Sequence, residues 1–265
     1  MEETKKHNQL VLVHGACHGA WCWYKVATEL RSEGHRVTIL DMAAAGADPK
    51  RVEELSSISD YCRPLMEFMA ALPPEEKVVL VGHSLGGVGI SLAMEKFPRQ
   101  VSVAVFVTAF MPGPDFSLLV LVAEYEKQLD SYMDTQFRFN NGQDKPPTSL
   151  QFGPDYMATH LYNLSPPEDL TLATLLMRPI GLYDEADLAN EVALTKENYG
   201  SVRRVFVVCE EDMVLKKEFQ EWMIHNNPVD EVNIISGADH MPMFSKPQQL
   251  SDLLHHIPLK YPHIS

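Results

Sequence analysis

The chain has 265 residues, 45% of them hydrophobic, which favours one substantial core with room for an inserted lid over two independent domains. A formal net charge of -14, from 22 basic and 36 acidic side chains, argues against a surface for nucleic acid or for an anionic membrane. It says nothing about a neutral substrate.

The first residues, 1–8, are polar and show no secretory signal, the tail 258–265 carries no targeting signal, and no apolar run is long enough to span a bilayer. Cys17, Cys22, Cys62 and Cys209 lack the spacing of a metal knuckle and read as reduced thiols. Cys17 and Cys22 flank His18, a superficial metal pattern that the spacing does not support. Cytoplasmic residence and chemistry without metal or cofactor are therefore expected.

In chain order, residues 10–13 form an apolar strand that ends in His14-Gly15-Ala16-Cys17, 21–31 read as a helix stopped by Gly34, and 37–40 as a second strand. Apolar spacing at Leu65, Phe68, Met69 and Leu72 predicts a helix over 60–72, ended by Pro73-Pro74. A strand over 78–81, a helix over 85–97 and a nearly continuous apolar strand over 101–107 follow. Strands alternating with helices imply right-handed crossovers and a mostly parallel sheet with helices on both faces.

The rhythm breaks over 111–183, which shows short helical candidates, many prolines and aromatics but no strong strand. So long a connection is odd as a loop and reads as a mainly helical cap, 113–183, inserted into a core of 1–112 and 184–265. A strand over 205–208, a helix over 216–225, a strand over 231–235 and a final helix over 247–256 complete the pattern.

Between a strand and a helix lies Gly82-His83-Ser84-Leu85-Gly86. A serine on a sharp strand-to-helix turn, with glycines two residues to either side, has the form of a nucleophile elbow; Gly87 adds little to that pattern. A serine nucleophile needs a base within hydrogen-bond reach and a carboxylate to orient the base. His240, in a loop after the last strand, is the candidate base, because His225, His255 and His256 fall on helices and His160 in the cap. Its neighbour Asp239 is too close along the chain to orient the ring from behind and reads as shaping the loop.

The acid comes from the run Glu210-Glu211-Asp212, where Asp212 is preferred for its short side chain and its place after the strand. Oxyanion donors are expected from the backbone N–H groups of Ala16 and Leu85. Gly15 permits the first of these turns, His14 reads as structural, and His18 and Gly19 either shape this wall or merely start the next helix. Phe110, Tyr132, Met133, Phe137, Met213 and Met241 are the expected pocket lining.

The stretches Val11-Leu12-Val13-His14-Gly15-Ala16-Cys17-His18-Gly19-Ala20-Trp21, Gly82 to Gly87, Tyr199-Gly200-Ser201-Val202-Arg203-Arg204 and Gly237-Ala238-Asp239-His240-Met241 resemble the plant methylesterase and hydroxynitrile lyase family of α/β-hydrolases. That family includes salicylic acid-binding methylesterase, polyneuridine aldehyde esterase and methylketone synthases. The resemblance implies an α/β-hydrolase fold with nucleophile Ser84, acid Asp212, base His240 and oxyanion donors Ala16 and Leu85.

It also separates chemistries. The lyases carry threonine at the place of Gly15 and lysine at the place of Met241, and the methylketone synthases carry alanine and asparagine at the places of Ser84 and Asp212. This chain keeps the full nucleophilic set and no cation beside the base, which favours ester hydrolysis. Yet Leu215-Lys216-Lys217-Glu218-Phe219 and 227–232 look more like the methylketone synthase branch, and Tyr132 stands where the salicylate-binding relative has tryptophan.

The expected partners are a small apolar methyl ester and its product acid. A carbon–carbon lyase or β-keto acid decarboxylase in the same cavity, and a non-catalytic binder of a small acid, are the alternatives. Oligomeric state is not legible, and a homodimer stays open.

Overall fold

A computed structural model describes residues 8–261; residues 1–7 and 262–265, parts of the two ends read above for targeting signals, lie outside the described residues. The first half contains β1 (Gln9–Val13), α1 (Tyr24–Ser32), β2 (Arg36–Leu40), α2 (Ile58–Tyr61), α3 (Arg63–Ala71), β3 (Val78–Ser84), α4 (Gly86–Lys96) and β4 (Val101–Ala109). The predicted helix over 60–72 is thus two pieces, because Pro64 lacks a backbone N–H and opens the second at its first turn.

Between β4 and the next strand of the main sheet the chain builds the cap region, for which 113–183 remains our proposed extent. It holds α5 (Leu118–Gln128), β5 (Gln136–Arg138), β6 (Ser149–Gln151), α6 (Pro154–Tyr156), α7 (Pro167–Leu176) and β7 (Ile180–Gly181). The three strands pair antiparallel in the order β5-β6-β7, a small sheet that the sequence reading lacked. Strands of three, three and two residues are too short for an alternating pattern to register.

Next come α8 (Glu185–Glu191), β8 (Arg204–Cys209), α9 (Lys217–Asn226), β9 (Glu231–Ile235), α10 (Pro242–Ser245) and α11 (Pro247–Lys260). The main sheet runs β2-β1-β3-β4-β8-β9, every adjacent pair parallel. β3 is buried along its whole length and β4 nearly so, which explains their continuous apolar sequences: helices cover both faces. Because all strands point one way, the loops after β1, β3, β4, β8 and β9 collect at one edge of the sheet.

The turn from β3 into α4 is tight enough that glycine is obligatory. A β-carbon at Gly82 would lie 2.7 Å from the carbonyl oxygen of Gly86, and one at Gly87 only 2.1 Å from that of Phe110. Gly87, which adds little to the motif as a pattern, is therefore what lets α4 lie against the end of β4.

Candidate active site

Ser84 closes β3 and starts the turn with φ of 52°, a left-handed conformation that a non-glycine residue adopts only under constraint. Its carbonyl accepts from the N–H of Phe110 at 3.1 Å, tying the elbow to the end of β4. Asp212 follows β8 and His240 follows β9, and the strand order brings both loops beside the serine.

His240 Nε2 lies 3.1 Å from Ser84 Oγ, and His240 Nδ1 lies 2.7 Å from Asp212 Oδ2. All three residues are buried. With Asp212 accepting from Nδ1–H, the other ring nitrogen is left bare to take the serine proton. The neighbouring acids are elsewhere: Glu210 pairs with Lys217 at 2.7 Å and Glu211 is exposed.

Asp212 is held by more than the histidine. Its Oδ1 accepts from the N–H groups of Val214 at 2.7 Å and Leu215 at 2.9 Å, and its Oδ2 accepts from Thr108 Oγ1 at 2.5 Å. Thr108 stands where the pairing of β3 and β4 slips, since His83 pairs with Val107 but Ser84 pairs with Ala109. The extra residue, at φ of 34°, is turned so that its hydroxyl meets Asp212. A bulge of one residue has no sequence signal, so Thr108 was not legible.

The loop after β1 lies against the elbow. A β-carbon on Gly15 would sit 2.8 Å from the Ser84 Cβ, so this backbone has no room for the threonine that the lyases carry there. The carbonyl of Gly15 belongs to the same peptide as the N–H of Ala16, and it accepts from His14 Nδ1 at 2.8 Å while His14 Nε2 accepts from the N–H of Met42 at 3.1 Å. His14 thus fixes the plane of the peptide that presents the expected oxyanion donor. Burial pulls its pKa down and keeps it neutral, the form this pair of bonds requires.

Leu85 begins the first turn of α4, whose leading N–H groups have no acceptor within the helix. His83 donates from Nε2 to the carbonyl of His240 at 2.7 Å, so the residue before the serine steadies the loop of the base. Burial, and then the neighbouring His240, hold its pKa well down. Burial pushes the Cys17 thiol up to about 12, so it stays protonated.

Of the expected lining, Phe110 is half-buried and meets Tyr125 of the cap with ring centroids 5.6 Å apart, and Met241 is fully buried beside the base. Met213 is largely exposed next to Asp212. Tyr132 and Met133 are exposed on a cap loop, where the Tyr132 ring packs edge-on to Phe137 at 5.1 Å. No group of three or more His, Cys, Asp or Glu among the described residues has metal-binding geometry, and both nitrogens of His18 are hydrogen-bonded to protein atoms.

A parallel sheet with helices, a serine on a strained elbow, a histidine in reach and a buried carboxylate behind it define a serine hydrolase. The model of the alpha/beta hydrolase family matches residues 10–253. Methyl jasmonate esterase 1 of Vitis vinifera is 58% identical over 98% of this chain and 100% of its own. Among solved structures, tomato methylketone synthase I complexed with 2-tridecanone has a TM-score of 0.93 at 50% identity, over 97% of this chain and 99% of its own. Polyneuridine aldehyde esterase has a TM-score of 0.88 at 41% identity, over 95% and 99%. The chain belongs to the α/β hydrolase family, in the plant branch that holds these methylesterases and their relatives. No helix among the described residues is long and apolar enough to cross a membrane.

Proposed function

We propose that this chain is a carboxylesterase that hydrolyses the methyl ester of a small apolar acid through an acyl-enzyme on Ser84. The observation that carries the reading is the unbroken line Ser84–His240–Asp212, with contacts of 3.1 and 2.7 Å. Ser84 Oγ attacks the ester carbonyl as His240 Nε2 takes its proton, and the N–H groups of Ala16 and Leu85 face the developing oxyanion. The imidazolium, steadied by Asp212, returns the proton to the departing methoxide and releases methanol. Water, deprotonated by the same nitrogen, then attacks the acyl-enzyme, frees the carboxylic acid and restores Ser84.

A buried Met241 beside the base offers no cation to a leaving anion, which supports ester hydrolysis over cyanohydrin cleavage. Likeness to a methyl jasmonate esterase at 58% identity supports methyl jasmonate as the first substrate to test, ahead of methyl salicylate and similar cyclic or aromatic esters. The cytosol is the proposed location, supported by four buried free cysteines.

β-Keto acid decarboxylation is the second reading, favoured by the close likeness to methylketone synthase I and opposed by the presence of both Ser84 and Asp212. Purified protein offered a panel of methyl esters and a β-keto acid, with methanol, carbon dioxide and product acid measured, separates the two. Hydrolysis with methanol release that disappears in Ser84→Ala is the expected result. Full ester turnover by that variant, or carbon dioxide as the main product, would remove the proposal.

A further inference from the structure

The motif after β1 and the motif before His240 both contain buried polar side chains that ester chemistry does not require, and both side chains reach the cap. His18 donates from Nδ1 to the carbonyl of Ala16 at 2.8 Å, and its Nε2 accepts from the Tyr162 hydroxyl at 2.7 Å. Asp239, fully buried, accepts at Oδ2 from the N–H of Leu164 at 3.0 Å and the Ser165 hydroxyl at 2.8 Å, and at Oδ1 from the N–H of Met241 at 2.9 Å. One cap turn, 162–165, therefore touches the loop of the expected oxyanion donor and the loop of the base.

We propose that this turn is a clamp: through His18 it holds the Ala16–Cys17 peptide, directly after the peptide that presents the Ala16 N–H, and through Asp239 it holds the loop of His240, so that cap and catalytic geometry are a single unit. The inference rests on the ester-hydrolysis reading for its kinetic consequence and on geometry alone for its structural one. Tyr162, Ser165, His18 and Asp239 are positioning residues.

Backbone strain supplies the reason a clamp is needed. Cys17, between Ala16 and His18, has φ of 63°, and such a conformation persists only when its surroundings fix it. Further cap contacts reach the same residue: the N–H of Arg178 donates to the Cys17 carbonyl at 3.0 Å, and Cys17 Sγ donates to the Leu150 carbonyl at 3.7 Å. The Arg178 guanidinium at the same time donates to the carbonyls of Gly46 at 3.2 Å, Asp48 at 2.6 Å and Lys50, closing the far side.

The hydrogen bonds also fix a tautomer. Burial pulls the His18 pKa down to about 4, so the ring is neutral and carries its one proton on Nδ1 only while Nε2 has a donor. The Tyr162 hydroxyl is that donor. Without it, a buried acceptor is left unpaired, and a shift of the proton to Nε2 releases the Ala16 carbonyl.

Steady-state kinetics and amide hydrogen exchange on Tyr162→Phe, Ser165→Ala and the double variant, with Ser84→Ala as control, test the clamp. Tyr162→Phe keeps the ring and is expected to lower kcat about tenfold with KM within about threefold, because the loss falls on the transition state. Exchange is expected to quicken by about fivefold or more over 14–20 in Tyr162→Phe and over 236–243 in Ser165→Ala, while Ser84→Ala keeps parental protection in both. Unchanged exchange in either segment, or a parental kcat in the double variant, would overturn the clamp. Ester turnover by Ser84→Ala would instead remove the serine reading, and the exchange data would still decide the clamp.

Discussion

The carboxylate of Asp212 accepts from four donors, two on each oxygen, and only one of them is the imidazole. Such a shell holds the buried carboxylate in one rotamer, so the histidine finds its partner in place. Thr108 gives the shortest of these bonds, from a bulged position with a strained backbone. Replacing its hydroxyl by methyl in Thr108→Val removes a hydrogen bond to a charge and is expected to lower kcat about tenfold, whereas Thr108→Ser retains most activity. Equal kinetics for the two variants would show that shape, not the hydroxyl, matters. At this scale the sequence was readable where a residue type is chemically obligatory: Ser84, His240 and, by side-chain length, Asp212. Thr108, Tyr162 and the part played by His14 were not readable, because each acts through a contact between segments distant along the chain.

The elbow shows why an element can be legible while its demands are not. Apolar runs and a glycine-flanked serine marked β3 and α4, but the pattern gave Gly87 little weight, and the distance of 2.1 Å from its missing β-carbon to the Phe110 carbonyl gives it a great deal. Gly87→Ala must push α4 away from β4, a backbone shift with a cost of about 3 kcal/mol or more. A urea unfolding midpoint well below that of the parent is expected, and an unchanged midpoint would mean that the turn relaxes freely. The cap illustrates the reverse case: aromatics and prolines announced a separate layer, yet its small sheet has no strand longer than three residues. Periodicity cannot register in so short a run, and pairing between β5, β6 and β7 is set by tertiary contacts instead.

For the molecule as a whole, the site is a set of loops gathered at one edge of a parallel sheet and roofed by a cap that is hydrogen-bonded to those after β1, β8 and β9. That arrangement was foreseeable from the alternation of strands and helices, since parallel strands must send their loops to a common edge. It has a consequence for stability. The folded chain buries His14, His18 and His83 in neutral form, His18 with its pKa lowered from 6.5 to about 4. As pH falls below 6.5 the unfolded chain takes up these protons first, so the stability that neutral burial allows is present above 6.5 and is lost progressively towards about 4. Thermal unfolding is expected to move to clearly lower temperature between about pH 7.5 and about pH 5, and a flat profile would mean that these rings are not held neutral. The central claim, that Ser84 is made reactive by His240, is tested most directly by brief exposure to a fluorophosphonate followed by peptide mapping. The account predicts a single adduct on the peptide carrying Ser84, formed much more slowly in His240→Ala; hydrolysis of a methyl ester by a protein that shows no adduct at Ser84 would contradict it.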